Sequence, residues 1–348
     1  MELLETLTQT PSVPGREDRV RKVIEDYVTE KGLFDEIRTD PLGSLICTRN
    51  PKPKDPATLE TPLKIMLAAH MDQIGFLVSH VGSDGFVRVN PVGGFDRRNL
   101  FARRVKVCTA KEDLRGVMNP SGRPVHIASE EEKKKIPEIN EFFIDLGLEA
   151  DVVQKKVRIG DMVVLEGPFS EVGDSVVSQC LDNRVGCWAL IRAIEKLEHH
   201  NCEIHAVFTV QEEVGLRGAI PASFEVAPDI GLSCDTTLSC KIPGVSEEQQ
   251  VTVPGDGVCL KIMDSSTIAD LKLLEQLEAI AEDNGIPCQR GVLPRGGQDG
   301  AAMQRSRSGV RVAVFACPVK YIHTITEMSH KTDLESYPAL LAAYLTQA

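Results

Sequence analysis

No apolar run in this chain approaches the roughly 18 to 20 residues that a membrane-crossing helix needs, so a membrane is not an expected partner. There is no excess of basic residues either. The 39 lysines and arginines are outnumbered by 51 aspartates and glutamates, giving a formal net charge of -12. Such a surface repels a polyanionic backbone, which argues against nucleic acid as a partner. No CxxC pair is present: Cys47, Cys108, Cys180, Cys187, Cys202, Cys234, Cys240, Cys259, Cys288 and Cys317 stand singly. Several lie in apolar, strand-like runs, where a thiol serves as a small hydrophobe, and the set reads as reduced core filler rather than disulfides or zinc-finger ligands. The opening MELLETLTQT carries Glu2 and Glu5 where a secretory leader carries positive charge, and a cytoplasmic protein is expected. Internal repeats and low-complexity tracts are also missing. What remains is 348 residues, 42% hydrophobic and 26% charged, a chain that can build a sizeable core and two domains.

The order of patterns suggests how those domains are arranged. Val20, Val23, Ile24, Tyr27 and Val28 recur at helical spacing, a strand is expected around Ser44 to Thr48, and Leu63 to Ala69 reads as a buried central strand ending at His70-Met71-Asp72. From Phe76 to Pro168 the texture changes to short apolar runs broken by Gly, Pro and Asn, the signature of a β-rich unit. Its charged stretch Glu130 to Lys135 reads as a solvated loop or helix end. Alternating helix and strand then resume: a helix at Leu181 to Leu197, strands at Glu203 to Val210 and Ile230 to Cys234, a helix at Ile268 to Glu282, a strand at Val310 to Ala316, and a closing helix for which Asp333 is the expected cap. The expected fold class is α/β: a mixed-sheet α/β/α domain formed by residues 1–75 and 169–348, interrupted by a small, barrel-like β-rich insertion at 76–168.

Residues able to do chemistry gather at predicted strand ends, where open α/β sheets bind ligands. Alternation puts His70 and Asp72 on one face, so the aspartate is expected to accept the imidazole's second N–H and fix its tautomer for a metal. Asp182, just before a long helix, is either an N-cap or a bridging carboxylate. Glu212 and Glu213 follow an apolar strand side by side, an arrangement that needs a cation or a shared proton. Asp235 ends another strand, His323 follows a Pro318 turn, and Gly296-Gly297-Gln298-Asp299-Gly300 is a turn whose glycines let the backbone approach a ligand. Each has a structural explanation when taken alone.

Their order along the chain is more specific. The stretches Ala68-Ala69-His70-Met71-Asp72-Gln73-Ile74-Gly75-Phe76, Leu181-Asp182-Asn183-Arg184, Glu212-Glu213-Val214-Gly215-Leu216-Arg217-Gly218-Ala219, Cys234-Asp235-Thr236, the glycine turn and Tyr321-Ile322-His323-Thr324 resemble those of the tetrahedral or glutamyl-type aminopeptidases, metallopeptidase family 42. Members of that family have often been labelled endoglucanases. The resemblance implies two divalent ions, zinc or cobalt, one held by His70 and Asp235 and the other by Glu213 and His323, with Asp182 bridging. It implies Glu212 as the proton carrier, Asp72 as the group orienting His70, and a substrate-binding turn at Gly296, Gly297 and Asp299. Peptides with free N-termini are the implied substrates, and self-association, commonly into a dodecamer through the inserted domain, is implied as well. Gln298 stands where relatives usually carry threonine, and Gln73 where they often carry glutamate. Arg295, beside the turn, is either a group favouring acidic side chains or an ordinary surface residue. The alternatives are another two-metal amidohydrolase (a carboxypeptidase or deacylase), an endoglucanase, and a non-catalytic scaffold.

Overall fold

The run Lys64–His70 is apolar on both of its alternating faces, and the fold uses both. Ile65, Leu67 and Ala69 join the main hydrophobic core, while Met66 and Ala68 join a second core on the opposite side. A strand buried on both faces belongs in the middle of a covered sheet. In this computed structural model, which describes residues 1–55, 57 and 61–348, that sheet has eight strands. Their order is Glu36–Thr39, Leu45–Arg49, Glu203–Thr209, Lys64–His70, Ile230–Leu238, Arg311–Val319, Val258–Met263 and Cys288–Val292. The four strands from Glu203–Thr209 to Arg311–Val319 run parallel, so their carboxyl ends share one edge.

Helices cover both faces, as the α/β/α expectation requires. Leu181–Glu195 lies under the main core and is apolar on nearly every side: Val185, Cys187, Trp188, Ala189, Leu190, Ile191, Ala193 and Ile194 are all buried. A helix hydrophobic all round is a central one. It packs with Lys331–Gln347, and Leu271–Asp283 joins the same core through Leu273, Leu274, Leu277 and Ile280. The shorter helices Ala219–Val226 and Gly300–Gln304 cover the other face.

The β-rich segment closes into a six-stranded antiparallel barrel whose strands all lie between Gly75 and Leu165. It has its own core, including Phe76, Val105, Met118, Phe142 and Ile144. Within Glu130 to Lys135, residues Glu130–Lys134 form a short helix with a Ser129–Glu132 capping box and no buried residue, in keeping with a solvated stretch. Asp333 corrects an expectation. The closing helix starts at Lys331 and is capped by His330, whose Nδ1 accepts the Thr332 N–H. The Asp333 carboxylate instead accepts the N–H groups of Gly255 and Gly257, so it ties a loop to the helix. All ten cysteines are free thiols, and only Cys240 and Cys288 are less than fully buried.

Candidate metal centre

Four parallel strands deliver their next residues to one edge, and the chemistry collects there. His70 is the last residue of its strand, Asp235 lies in the carboxyl half of Ile230–Leu238, Glu212 and Glu213 follow Glu203–Thr209, and His323 follows Arg311–Val319. Asp182 arrives on the segment that returns from the barrel. Although helix Leu181–Glu195 begins one residue earlier, Asp182 has non-helical backbone (φ -79°, ψ 109°), and its side chain is not an N-cap bond acceptor.

The distances show what converges. His70 Nε2 stands 3.4 Å from Asp182 Oδ1, 3.7 Å from Glu212 Oε2 and 3.8 Å from Asp235 Oδ1. His323 Nε2 stands 3.4 Å from Asp182 Oδ2 and 3.5 Å from Glu213 Oε1. One carboxylate therefore offers one oxygen to each imidazole. Ligand atoms of His70, Asp182 and Glu213 all lie within 4.8 Å of one another. Gly296 and Gly297 line the cavity of about 550 Å³ above these groups. Asp299 does not line it. It is buried, with Oδ2 accepting the Thr209 hydroxyl and Oδ1 unpaired among the described residues.

The tautomer of His70 is fixed differently from expectation. Its Nδ1 lies 3.0 Å from the main-chain carbonyl of Asp72 and 3.6 Å from that residue's carboxylate. A carbonyl only accepts, so Nδ1 carries a proton, and Nε2 is the nitrogen that faces the carboxylates, which hold the ring's proton affinity well above the usual histidine range against the opposing effect of burial. The Asp72 carboxylate is engaged elsewhere: Oδ1 accepts the Glu212 N–H at 3.0 Å and Oδ2 the Glu213 N–H at 3.1 Å. It holds the glutamate pair in place.

A second tether was not foreseen. Glu327 is buried in the short edge strand Glu327–His330, where Oε2 accepts the Asp182 N–H at 2.9 Å and Oε1 accepts the His323 N–H at 2.7 Å. One side chain thus ties together two loops that carry candidate ligands. An acid four residues beyond His323 in the sequence gave no local signal of this role. Cys180, Gln211, Tyr321 and His323 have left-handed backbone with φ between 56° and 61°. Such non-glycine conformations cost roughly 1–3 kcal/mol each and persist where the surroundings over-determine them. Glu327 supplies that constraint at His323, and the buried Glu17, which accepts the Gln211 N–H, supplies it before Glu212.

The electrostatics fit a cationic occupant. Burial, followed by the neighbouring negative charges, pushes Glu212 well above the usual carboxylate range, Asp235 up to about 7, Glu327 up to about 8 and Asp299 up to about 6. Burial also acts to raise Asp182, but the two imidazoles on its oxygens outweigh it and hold the group below the usual range. Burial lowers His323, yet Asp182 and Glu213 carry it up to about 11. Asp182 Oδ1 is buried and has no hydrogen-bond partner among the described residues. Excess carboxylates, an orphaned oxygen and imidazole lone pairs form a donor set suited to divalent metal. A second cleft, of about 680 Å³, lies between the barrel wall and the first helix, but its lining of Arg104, Lys106, Arg115, Gln179 and others has no comparable donor set.

A parallel-edge cage of carboxylates and histidines on a mixed α/β/α sheet defines a metallohydrolase. The family model described as M42 glutamyl aminopeptidase matches residues 43–340, and the chain belongs to that family. It is a metal-dependent aminopeptidase. Among its relatives, the lysyl aminopeptidase of Pyrococcus furiosus is 30% identical over 351 residues, covering 99% of this chain and 96% of that protein. An aminopeptidase of the archaeon Desulfurococcus kamchatkensis superposes with a TM-score of 0.92 at 34% identity, covering 100% of this chain and 94% of that one. The TET1 peptidase of Pyrococcus horikoshii, which can assemble into a tetrahedron or a large octahedral shell, gives 0.86 at 32% identity, covering 100% and 99%.

Proposed function

We propose that the chain removes the N-terminal residue from peptides using two divalent ions, zinc or cobalt. In this reading His70 and Asp235 hold one ion, Glu213 and His323 the other, and Asp182 bridges them. The observation that carries it is Asp182, whose two oxygens face two different imidazoles, each at 3.4 Å. When bound, such a pair acidifies water, polarises the scissile carbonyl and binds a free α-amine.

The chain's own residues supply the rest. The Glu212 carboxylate accepts no hydrogen bond among the described residues and lines the cavity, free to take a proton from the attacking water and deliver it to the leaving amine. Asp72 aims Glu212 and Glu213 through their main-chain N–H groups, while its carbonyl orients His70. Gly296 and Gly297 leave one wall of the cavity bare for substrate backbone, and the buried Asp299 is tied to the Thr209 hydroxyl instead of reaching the cavity.

Residues 76–168 are proposed as the oligomerisation domain of a homo-oligomer, with a dodecamer the expected state, set in the remaining catalytic domain of 1–75 and 169–348. Ten unpaired thiols favour the cytoplasm, and no described helix is long and apolar enough to cross a membrane. The endoglucanase alternative calls for carboxylates on opposite sides of a sugar. Here the acids surround two imidazoles, which favours the peptidase.

The test is release of N-terminal residues from a peptide panel before chelation, after it, and with zinc or cobalt restored. Activity should vanish and return, and N-terminally acetylated peptides should resist. Equal cleavage of acetylated and free peptides rejects the proposal.

A further inference from the structure

The two faces of the large sheet are covered very unequally. The main core lies under the long helices Leu181–Glu195, Leu271–Asp283 and Lys331–Gln347, whereas the opposite face is covered by the short helices Ala219–Val226 and Gly300–Gln304 over a small core. Ala219–Val226, with the sequence AIPASFEV, carries one charged residue, Glu225. Its inward side is used, since Ala222 and Val226 pack in the small core. Its outward side is apolar as well. Ile220 is 56% exposed, Phe224 is 60% exposed, and Pro221 between them is exposed too. A helix that is apolar on both sides is one that something covers.

This strip starts at the candidate centre. The Ile220 N–H donates to the Leu216 carbonyl at 3.3 Å, which puts Leu216 one turn ahead of Ile220, and Leu216 lines the same cavity as Glu212 and Glu213. Leu216, Ile220 and Phe224 therefore follow one another, one turn at a time, from the cavity wall to the outside of the domain. The far end is held in place. The Arg307 guanidinium lies 4.4 Å from the centre of the Phe224 ring, and its Nε donates to the Phe224 carbonyl at 2.7 Å. An exposed ring fixed in this way is a preorganised ledge.

Size and spacing decide what fits on it. Two large side chains and a proline are far less than the roughly 20–30 residues a side that a stable contact between copies takes. Ile220 and Phe224 are about 6 Å apart along the helix axis at 1.5 Å per residue. Alternate side chains of an extended peptide are about 6.6 Å apart, which matches that step. A peptide whose α-amine reaches the proposed ions leaves the cavity with its carboxyl end outward, so its later residues are the ones available to this wall.

We propose that Leu216, Ile220 and Phe224 form an apolar track for the part of the peptide substrate that lies beyond the scissile bond, taking alternate side chains of an extended chain. This rests on the candidate centre being the catalytic one, and it adds a preference for the residues that follow the one released.

The experiment compares kcat/KM of the metal-loaded, full-length enzyme on two hexapeptides that share their first two residues, X-Ala, where X is the residue released fastest from a p-nitroanilide panel. One continues Leu-Leu-Leu-Leu and the other Ser-Ser-Ser-Ser. The leucine peptide is expected to lead by about 10-fold, mainly through a lower KM, because partial burial of two apolar side chains contributes about a decade of affinity. Ile220→Ser combined with Phe224→Ser should bring the ratio close to 1, and Phe224→Leu, which keeps the ledge apolar, should retain most of it. Equal kcat/KM for the two peptides in the wild type overturns the track and leaves the aminopeptidase reading intact; this arm needs no variant to fold. An unchanged ratio in the double variant, with metal content and melting temperature matching wild type, also overturns it. So does loss of assembly by the double variant in sedimentation velocity, which would assign the strip to a second copy of the chain. Failure of the loaded wild type to cleave any unblocked peptide removes both the track and the centre on which it rests.

Discussion

Glu327→Gln is the sharpest perturbation of the candidate centre, because it keeps the shape of a side chain that touches no proposed ion. The carboxylate accepts two main-chain N–H groups, from Asp182 at 2.9 Å and from His323 at 2.7 Å. The amide keeps one acceptor oxygen and turns an NH₂ against the other N–H. The change therefore loses one hydrogen bond to a group held among charges, worth about 1.5–3 kcal/mol. If that energy serves to position ligands, it appears as roughly 10–100-fold weaker metal binding, the range found for outer-shell partners of metal ligands. Chelator titration with metal analysis reads this directly: the ion assigned to Glu213 and His323 should leave at about 10–100-fold lower chelator activity than in wild type. A merely structural glutamate would lower the melting temperature of the metal-free protein and leave the chelator midpoints unmoved. Wild-type midpoints for both ions in Glu327→Gln would refute the tether.

Four further outcomes are expected. Glu212→Gln should retain both metals by elemental analysis and lose turnover by several orders of magnitude, and near-normal kcat would remove Glu212 from the chemistry. Leu277→Ala, at a fully buried position facing the main core, should destabilise by about 2–5 kcal/mol in denaturant titration; a loss below about 0.5 kcal/mol would mean that the core there is poorly packed. Burial, then the charge of Asp72, pushes Glu17 up to about 7 from its ordinary 4.5. Since the fold disfavours its ionised form, metal-free protein should lose stability as pH rises from about 4.5 through about 7, and Glu17→Gln should flatten that slope in melting temperatures between pH 5 and 8. Iodoacetamide should modify Cys240 and Cys288 of the native protein first, because thiols such as Cys47 and Cys187 are buried and pushed up to about 12; early labelling of Cys187 by peptide mapping would contradict the packing around the centre.

Much of this was legible in the sequence for identifiable reasons. Apolar runs that end in His, Asp or Glu announce a covered parallel sheet with chemistry at its edge, and the helix at Leu181–Glu195 showed its burial through composition. The barrel was legible as a change in texture between two α/β stretches. What escaped was the bonding of acids to main-chain N–H groups, which depends on three-dimensional placement and leaves no spacing signature. Asp72 reads as a partner for the His70 ring but is drawn to the Glu212–Glu213 backbone, which crosses over it from another strand. Asp333 reads as a helix cap, yet the donors of Gly255 and Gly257 outcompete the helix's own. Glu327 gave no signal, because neither loop that it joins is near it in pattern until the edge strand folds back.

The barrel interrupts the chain between His70 and Asp182, and the candidate ligands extend to His323, 253 positions after the first (323 minus 70). A nascent polypeptide that has emerged from the ribosome as far as the barrel carries, of the proposed ligands, His70 alone. With the proposed ligand set, the centre is complete only after His323 has been made and brought back beside Asp182. On the proposed assignment the order of connection leaves the centre incomplete until nearly all of the chain has been made.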